Sequence, residues 1–225
     1  MEHWQFDASQ KVRLDGRYTV PDDVLSQVSS AVECHKDLRL IDLTNLNFTP
    51  QACISLKKIL ISSNIQYLFI RSSVLGDDGW NSIQAALYGR LVQLRMYYLL
   101  LSPTGMRSLS QGLQHSSTLR ILEISGCSNM EDGKAIQELA LGLTRNQTLH
   151  SLKLSDCYIQ DERLEKIVTA VIHHPCLINL ILPGNKPGPL TSRAIAKMLR
   201  FPKSCVEYLN LASYHSRRGP KLDMK

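Results

Sequence analysis

Apolar residues recur along this chain in a fixed order. Each run opens on a leucine or a similar residue. It passes two variable positions to a leucine and one more to another aliphatic, then closes, after two further positions, on a small or polar residue. LRILEISGC at 119–127 and LHSLKLSDC at 149–157 are the clearest copies. Others start at Leu38, Ile65, Leu91, Leu177 and Val206, so successive starts are 27, 26, 28, 30, 28 and 29 residues apart. A weaker copy, with Val12 and Leu14 in the two aliphatic slots, starts near Ser9.

Two periodicities share each copy. The first half alternates, as in Leu122-x-Ile124 and Leu152-x-Leu154, which predicts a short strand with one buried face. The second half turns to helical spacing. Ile136, Leu139, Ala140 and Leu143 form one stripe, and Leu164, Ile167, Val168 and Val171 form the next. Ile83 with Leu87 and Leu109 with Leu113 do the same earlier in the chain. Thr49-Pro50 and Ser102-Pro103 each offer a capping hydroxyl followed by proline at the first helical position. Asp77-Asp78, Glu131-Asp132 and Asp161-Glu162 sit at one phase of the repeat, where a helix N-terminus favours negative charge. Their recurrence makes them helix-entry residues rather than acid–base pairs.

One strand and one helix cannot bury their apolar faces alone, but stacked copies bury a continuous core. Packed helices lie roughly 10 Å apart, and paired strands about 4.8 Å apart. The stack must therefore curve. The expected fold is an α/β solenoid, with a parallel β-sheet on the concave side and α-helices on the convex side.

The motif LxxLxLxxC/N followed by a helix, at 26 to 30 residues per copy, resembles the leucine-rich repeat family. VLGDDGWNSIQAAL at 74–87 is similar to the helix-entry segment of its ribonuclease-inhibitor-like subtype. CYIQDERLEKIVTAVIHHPC at 157–176 also resembles the cysteine-containing repeats of F-box substrate receptors. The resemblance implies a horseshoe-like arc and says little about function. It covers about residues 38–214, most of the chain, with departures. Ser73 and Leu99 occupy the Asn/Cys slot, the sixth helix is delayed by PGNKPGP at 183–189, and the seventh copy has a strand but no helix. The expected organisation has three parts. Residues 1–37 hold a degenerate first repeat and a capping helix with Val24, Leu25, Val28 and Val32 inward. About seven repeats fill 38–214, and a basic, flexible tail fills 215–225.

Composition narrows the class. The chain has 225 residues and is 44% hydrophobic but only 6% aromatic, so aliphatic side chains must fill the core. Of the net charge of +6, +3 comes from Arg217, Arg218, Lys221 and Lys225 against Asp223 in the tail. This reads as a solvated tail, not as a nucleic-acid footprint on one face of the fold. No window approaches the roughly 20 apolar residues that span a bilayer. The opening MEHWQFDASQ has no apolar signal core. A cytoplasmic or nuclear protein with six reduced cysteines is expected, and no close CxxC pair occurs. Asn47-Phe-Thr and Asn146-Gln-Thr match the glycosylation acceptor and, without a secretory signal, read as chance.

Catalytic signatures are missing from the sequence: there is no GxSxG, GxxxxGK[ST] or HExxH. His173, His174 and Cys176 supply three zinc-type donors without an obvious fourth, so neither a metal nor a cofactor is expected. Cys127 and Cys157 sit in the Asn/Cys slot, where an inward side chain satisfies backbone groups.

If the leucines face the core, the residues between them face the concave surface. The slot between the second leucine and the next aliphatic holds Asp42, Phe69, Arg95, Glu123, Lys153, Ile181 and Asn210. The second and third copies bring Tyr67, Phe69, Arg71, Arg95 and Tyr97 onto adjacent rungs, with Tyr98 towards the turn. Tyrosine and arginine are enriched in binding hot spots. Glu123 and Lys153, with His150 and Asp156, form a second, charged set. Mixed signs favour a protein partner over a polyanion. The expected function is a non-enzymatic protein–protein interaction module with no small-molecule substrate, no membrane span and no nucleic-acid partner. By fold analogy the alternatives are a regulator of an enzyme or cytoskeletal protein, of the GTPase-activator or actin-capping kind, and the substrate receptor of a ubiquitin ligase.

Overall fold

A computed structural model describes residues 5–7, 11–16, 22–130 and 132–212. Its strands are β1 (Gln5–Asp7), β2 (Lys11–Asp15), β3 (Leu40–Thr44), β4 (Tyr67–Arg71), β5 (Gln93–Tyr97), β6 (Ile121–Ser125), β7 (Ser151–Ser155), β8 (Asn179–Ile181) and β9 (Tyr208–Asn210). Between them run α1 (Asp22–Cys34), α2 (Pro50–Ser62), α3 (Gly76–Leu87), α4 (Pro103–His115), α5 (Gly133–Arg145), α6 (Asp161–Val171) and α7 (Pro189–Arg200). The strands form one sheet in chain order. β2 to β9 are parallel, and β1 pairs antiparallel with β2 at the head of the array. The periodicity did not foretell β1, because it lies before the first copy of the motif. The basic tail lies outside the described residues.

The sheet register follows the repeat. Leu14, Leu43, Ile70, Met96, Ile124 and Leu154 form one ladder, and all are buried. Ile41, Leu68, Leu94, Leu122, Leu152 and Leu180 form a second buried ladder. Against them pack the helix stripes, including Ile136, Leu139 and Leu143 of α5 and Leu164, Ile167 and Val168 of α6. Burying one such side chain is worth roughly 1.5–3 kcal/mol, and each rung adds a similar set. Val12 and Leu14 of β2 and Leu25, Val28 and Val32 of α1 belong to the same core.

The six strands from β3 to β8 each leave the sheet through a left-handed residue. Asn45, Ser72, Tyr98, Gly126, Asp156 and Gly184 all have φ between 46° and 69°, at one phase of six successive copies. Their backbone N–H groups donate to the next rung; Asn45 reaches Arg71 O at 2.9 Å and Tyr98 reaches Ser125 O at 3.0 Å. One residue later the Asn/Cys slot turns inward. Asn185 donates from Nδ2 to Leu154 O at 2.8 Å and accepts Ile159 N–H at 3.0 Å. Cys157 donates to Ser155 O of its own rung at 3.2 Å and to Ile124 O of the preceding rung at 3.7 Å, and the Ser73 hydroxyl accepts Leu46 N–H at 3.1 Å. The slot thus ties adjacent rungs together through otherwise orphaned backbone groups.

Helix entries also reach across rungs. Thr49 and Ser102 cap α2 and α4, each followed by proline. Asp77 and Asp161 lie in the first turns of α3 and α6, as their phase predicts. Asp132 is instead the N-cap residue of α5, accepting from Lys134 N–H, and that helix has no acid in its first turn. The carboxylates do more than face their own helix. Asp22 accepts from the Thr49 hydroxyl, and Asp77 accepts from the Thr104 hydroxyl at 2.8 Å. Asp161 accepts the N–H groups of Gly188, Leu190 and Thr191 at 2.8, 3.0 and 2.8 Å. Gly188 has no side chain with which to cap α7, and the preceding helix supplies the cap.

Candidate partner-binding face

Tyr67, Phe69, Arg71, Arg95, Tyr97, Glu123 and Lys153 occupy three adjacent ladders on the concave face, whereas His150 precedes β7 and Asp156 and Tyr98 follow their strands. Asp42, Phe69, Arg95, Glu123, Lys153, Ile181 and Asn210 stand side by side in one ladder. Tyr67 pairs with Gln93 in the ladder on one flank, and Arg71 pairs with Tyr97 in the ladder on the other. Because a parallel ladder brings equivalent residues of consecutive copies together, residues about 27 positions apart become neighbours.

Charge on this face is arranged around two buried carboxylates. Asp42 is 2% exposed and Glu123 is 6% exposed. Lys11 Nζ lies 3.8 Å from Asp42, and Arg71 approaches it from the opposite rung at 4.0 Å. The Thr44 hydroxyl donates to the same carboxylate at 3.2 Å. Glu123 receives Lys153 Nζ at 2.6 Å and Arg95 Nε at 3.4 Å. Each acid is therefore flanked by two cations, and each group carries a net +1. A buried carboxylate needs such partners, since an unpaired one would be strongly disfavoured.

Aromatic rings fill the gap between the two groups. The Arg95 guanidinium lies 5.0 Å from the Phe69 ring centroid, and the Arg71 guanidinium lies 5.2 Å from that of Tyr97. Both fall within cation–π range. Burial, and after it the negative Glu123, pushes the Tyr97 phenol above its ordinary pKa, so it stays neutral. Glu123 thus differs in role from its neighbours. It forms the floor that holds Arg95 and Lys153, while the cations and rings face outward.

Of the apolar rim beside this face, the sequence pattern points to Tyr98, towards the turn, but not to its exposure or to Leu100 and Val74. Tyr98, Leu100 and Val74 are exposed where β4 and β5 give way to their loops. Tyr98 is 70% exposed and lies in the row of left-handed residues. Aligning that row would have revealed it: Asn, Ser, Gly, Asp and Gly fill the other five positions.

The other candidates go elsewhere. His174 is buried, takes the Cys176 N–H on Nδ1 at 3.3 Å and faces Asn146 Oδ1 at 3.4 Å. His173 is exposed and meets Phe201 edge-to-face at 4.4 Å. Among the described residues no group of three or more His, Cys, Asp and Glu side chains is placed to hold a metal ion. All six cysteines are unpaired. Burial pushes the Cys53 and Cys127 thiols to about 11 and the Cys157 thiol to about 12. Asn146 is buried with its amide bonded to Leu113 O, so its sequon is closed in the folded chain. An open, basic hollow lined by Arg193, Lys197 and Arg200 lies on the convex side at the C-terminal ends of α6 and α7. Helix C-termini carry negative potential, which accounts for these cations and opposes an anionic ligand. No helix among the described residues is long and apolar enough to cross a membrane.

A sheet of equivalent ladders with helices behind it gives this chain the α/β architecture of a leucine-rich repeat solenoid. Comparison with known proteins agrees: residues 145–168, covering β7 and most of α6, match the family model described as Leucine Rich repeat. Over 174 residues the chain is 26% identical to NACHT, LRR and PYD domains-containing protein 9 of Bos taurus, covering 75% of this chain and 17% of that protein. Over 92 residues it is 35% identical to NACHT, LRR and PYD domains-containing protein 12 of Mus musculus, covering 40% of this chain and 8% of that protein. The chain therefore spans less than a fifth of either relative.

Proposed function

We propose that this chain is a non-enzymatic binding module that takes a protein partner on its concave sheet. One observation carries the reading. Both carboxylates lie at the floor, each neutralised by its own pair of cations, while Arg71, Arg95, Lys153 and the rings of Tyr67, Phe69 and Tyr97 remain partly exposed on contiguous rungs. Such a surface combines area, aromatic anchors and charge without a deep pocket, which suits protein recognition. Tyr67, Phe69, Arg71, Arg95, Tyr97, Glu123 and Lys153 form the contact group, with Glu123 setting the cations in place. The likeness to proteins named for their LRR domains supports a role as the recognition part of a larger assembly.

In this reading the repeats are of the ribonuclease-inhibitor-like kind, residues 1–37 start the array, and the protein works in the cytoplasm. The test is affinity capture from a native lysate. The wild-type chain is compared with a variant carrying Tyr67→Ala, Arg71→Glu, Arg95→Glu and Tyr97→Ala, once circular dichroism has shown that both fold. A protein held by the wild type and lost by the variant supports the concave face. A protein held equally by both refutes it.

A further inference from the structure

Resting on the concave-face reading, we infer that the binding site continues over the loop edge of β4 and β5 and takes an extended, acidic peptide segment whose neighbouring aliphatic side chain packs on Tyr98. Three independent features meet there.

The first is conformational. A bulky residue with positive φ is disfavoured because its Cβ crowds the backbone. At this phase the other copies use Asn45, Ser72, Gly126, Asp156 and Gly184, and only the third places a large side chain in the left-handed turn, with φ 55°. Tyr98 gains little burial in exchange, being 70% exposed. Strain retained at an exposed aromatic is a feature of sites that serve a partner.

The second is apolar exposure. Leu100 and Val74 are 63% and 59% exposed. Backbone bridges tie Val74 to Asn47 and Leu100 to Ser128 along the same edge. Tyr98 follows Tyr97 directly, so this apolar strip continues the aromatic part of the concave face. Large apolar side chains left exposed on neighbouring copies, beside the aromatic part of the face, are the kind of surface that marks contact sites.

The third is unspent polar capacity. Arg71, Tyr97, Ser125 and Ser155 share the ladder nearest the edge. The Arg71 Nε, the Ser125 hydroxyl and the Ser155 hydroxyl are buried without a hydrogen-bond partner. Buried polar groups are ordinarily paired. An extended segment lying across this ladder would offer carbonyl and carboxylate oxygens to the partly exposed guanidinium groups of Arg71 and Arg95. Its charge is set by the surface it meets: Asp42 and Glu123 are buried and neutralised, whereas Arg71 and Arg95 remain partly exposed. The complement is acidic.

The probe is a phage-displayed library of random dodecapeptides panned on the folded full chain. The affinity of a selected peptide is then measured against Tyr98→Asn, Arg95→Glu and, as a control on the convex side, Arg107→Gln. Asparagine suits the left-handed turn, so Tyr98→Asn keeps the fold while removing the anchor. The expected result is enrichment of sequences with acidic residues beside Leu, Ile or Val. Their binding falls at least tenfold in both Tyr98→Asn and Arg95→Glu and stays unchanged in Arg107→Gln. Binding lost in Arg95→Glu but intact in Tyr98→Asn would sink the edge site and leave the concave-face reading standing. Binding indifferent to both variants would sink both. Enriched peptides without acids, or no enrichment, would overturn the acidic segment. Self-association of the chain that Tyr98→Asn abolishes would make a second copy the occupant and overturn it equally.

Discussion

The ring of Tyr98 lies where a side chain at Gly126 would have to go. A Cβ built on Gly126 would sit 2.6 Å from the Tyr98 ring carbons, and Gly126 itself has φ 62°. The glycine thus serves two ends at once. It makes the left-handed turn without strain, and it gives the neighbouring tyrosine a flat bed.

Gly126→Ala should therefore cost stability through both effects, about 1–2 kcal/mol for the backbone and more while the ring stays in place. In a Tyr98→Asn background the ring component disappears and only the backbone cost remains. Urea denaturation of the two single variants and the double variant measures this directly, as a positive coupling between the sites. Additive effects would show that the ring does not rest on Gly126.

What the sequence reveals here and what it hides have separate physical origins. The ladders were legible because a period-two alternation inside a fixed repeat fixes register as well as face, which is why Phe69 stands beside Arg95 and Glu123 beside Lys153. Burial within the exposed slots was not legible. Phe69 and Glu123 occupy the same slot, yet Glu123 lies at the floor because cations on both sides reach over it. Asp161 reads as an ordinary first-turn acid, and nothing local announces that its carboxylate caps the following helix. Such cross-rung bonds join residues 27 to 30 positions apart and depend on the packing angle of neighbouring helices.

That capping role predicts a local effect. Burial opposes the charge of Asp161, but hydrogen bonds from Thr191, Leu190 and Gly188 outweigh it and hold its pKa at about 2. A depressed carboxylate contributes stability at neutral pH that fades as pH falls from its ordinary value near 3.8 towards about 2. At pH 7, Asp161→Ala should speed amide hydrogen exchange in the first turn of α7 and leave α3 and α4 unchanged. Uniform acceleration across all the helices would contradict a local cap.

Thiol chemistry should divide the six cysteines. Cys53, Cys127 and Cys157 are buried with raised pKa values, whereas Cys34 is exposed. The thiolate is the reactive form. At pH 8 a disulfide reagent should modify Cys34 promptly and these three only when the chain unfolds. Rapid modification of Cys127 in the folded protein would mean that its slot opens to solvent.

His174 sets a pH dependence of the opposite chemical type. Burial, and then the charge of His150, lowers its pKa from 6.5 to about 4. The folded chain holds the ring neutral, with Nδ1 accepting from Cys176 and the remaining proton directed at Asn146. Between these two values the unfolded chain binds the proton more tightly, so stability falls as pH drops from about 6.5 towards 4. A shift of this size corresponds to about 3 kcal/mol when fully expressed. Carboxylates titrate in the same region, so the informative quantity is the difference between the wild type and His174→Gln. The glutamine keeps a donor for Asn146 but cannot take a proton. Its urea midpoint should lie below that of the wild type at pH 7, and the gap should close or reverse by pH 4.5. A gap independent of pH would show that His174 does not titrate on unfolding.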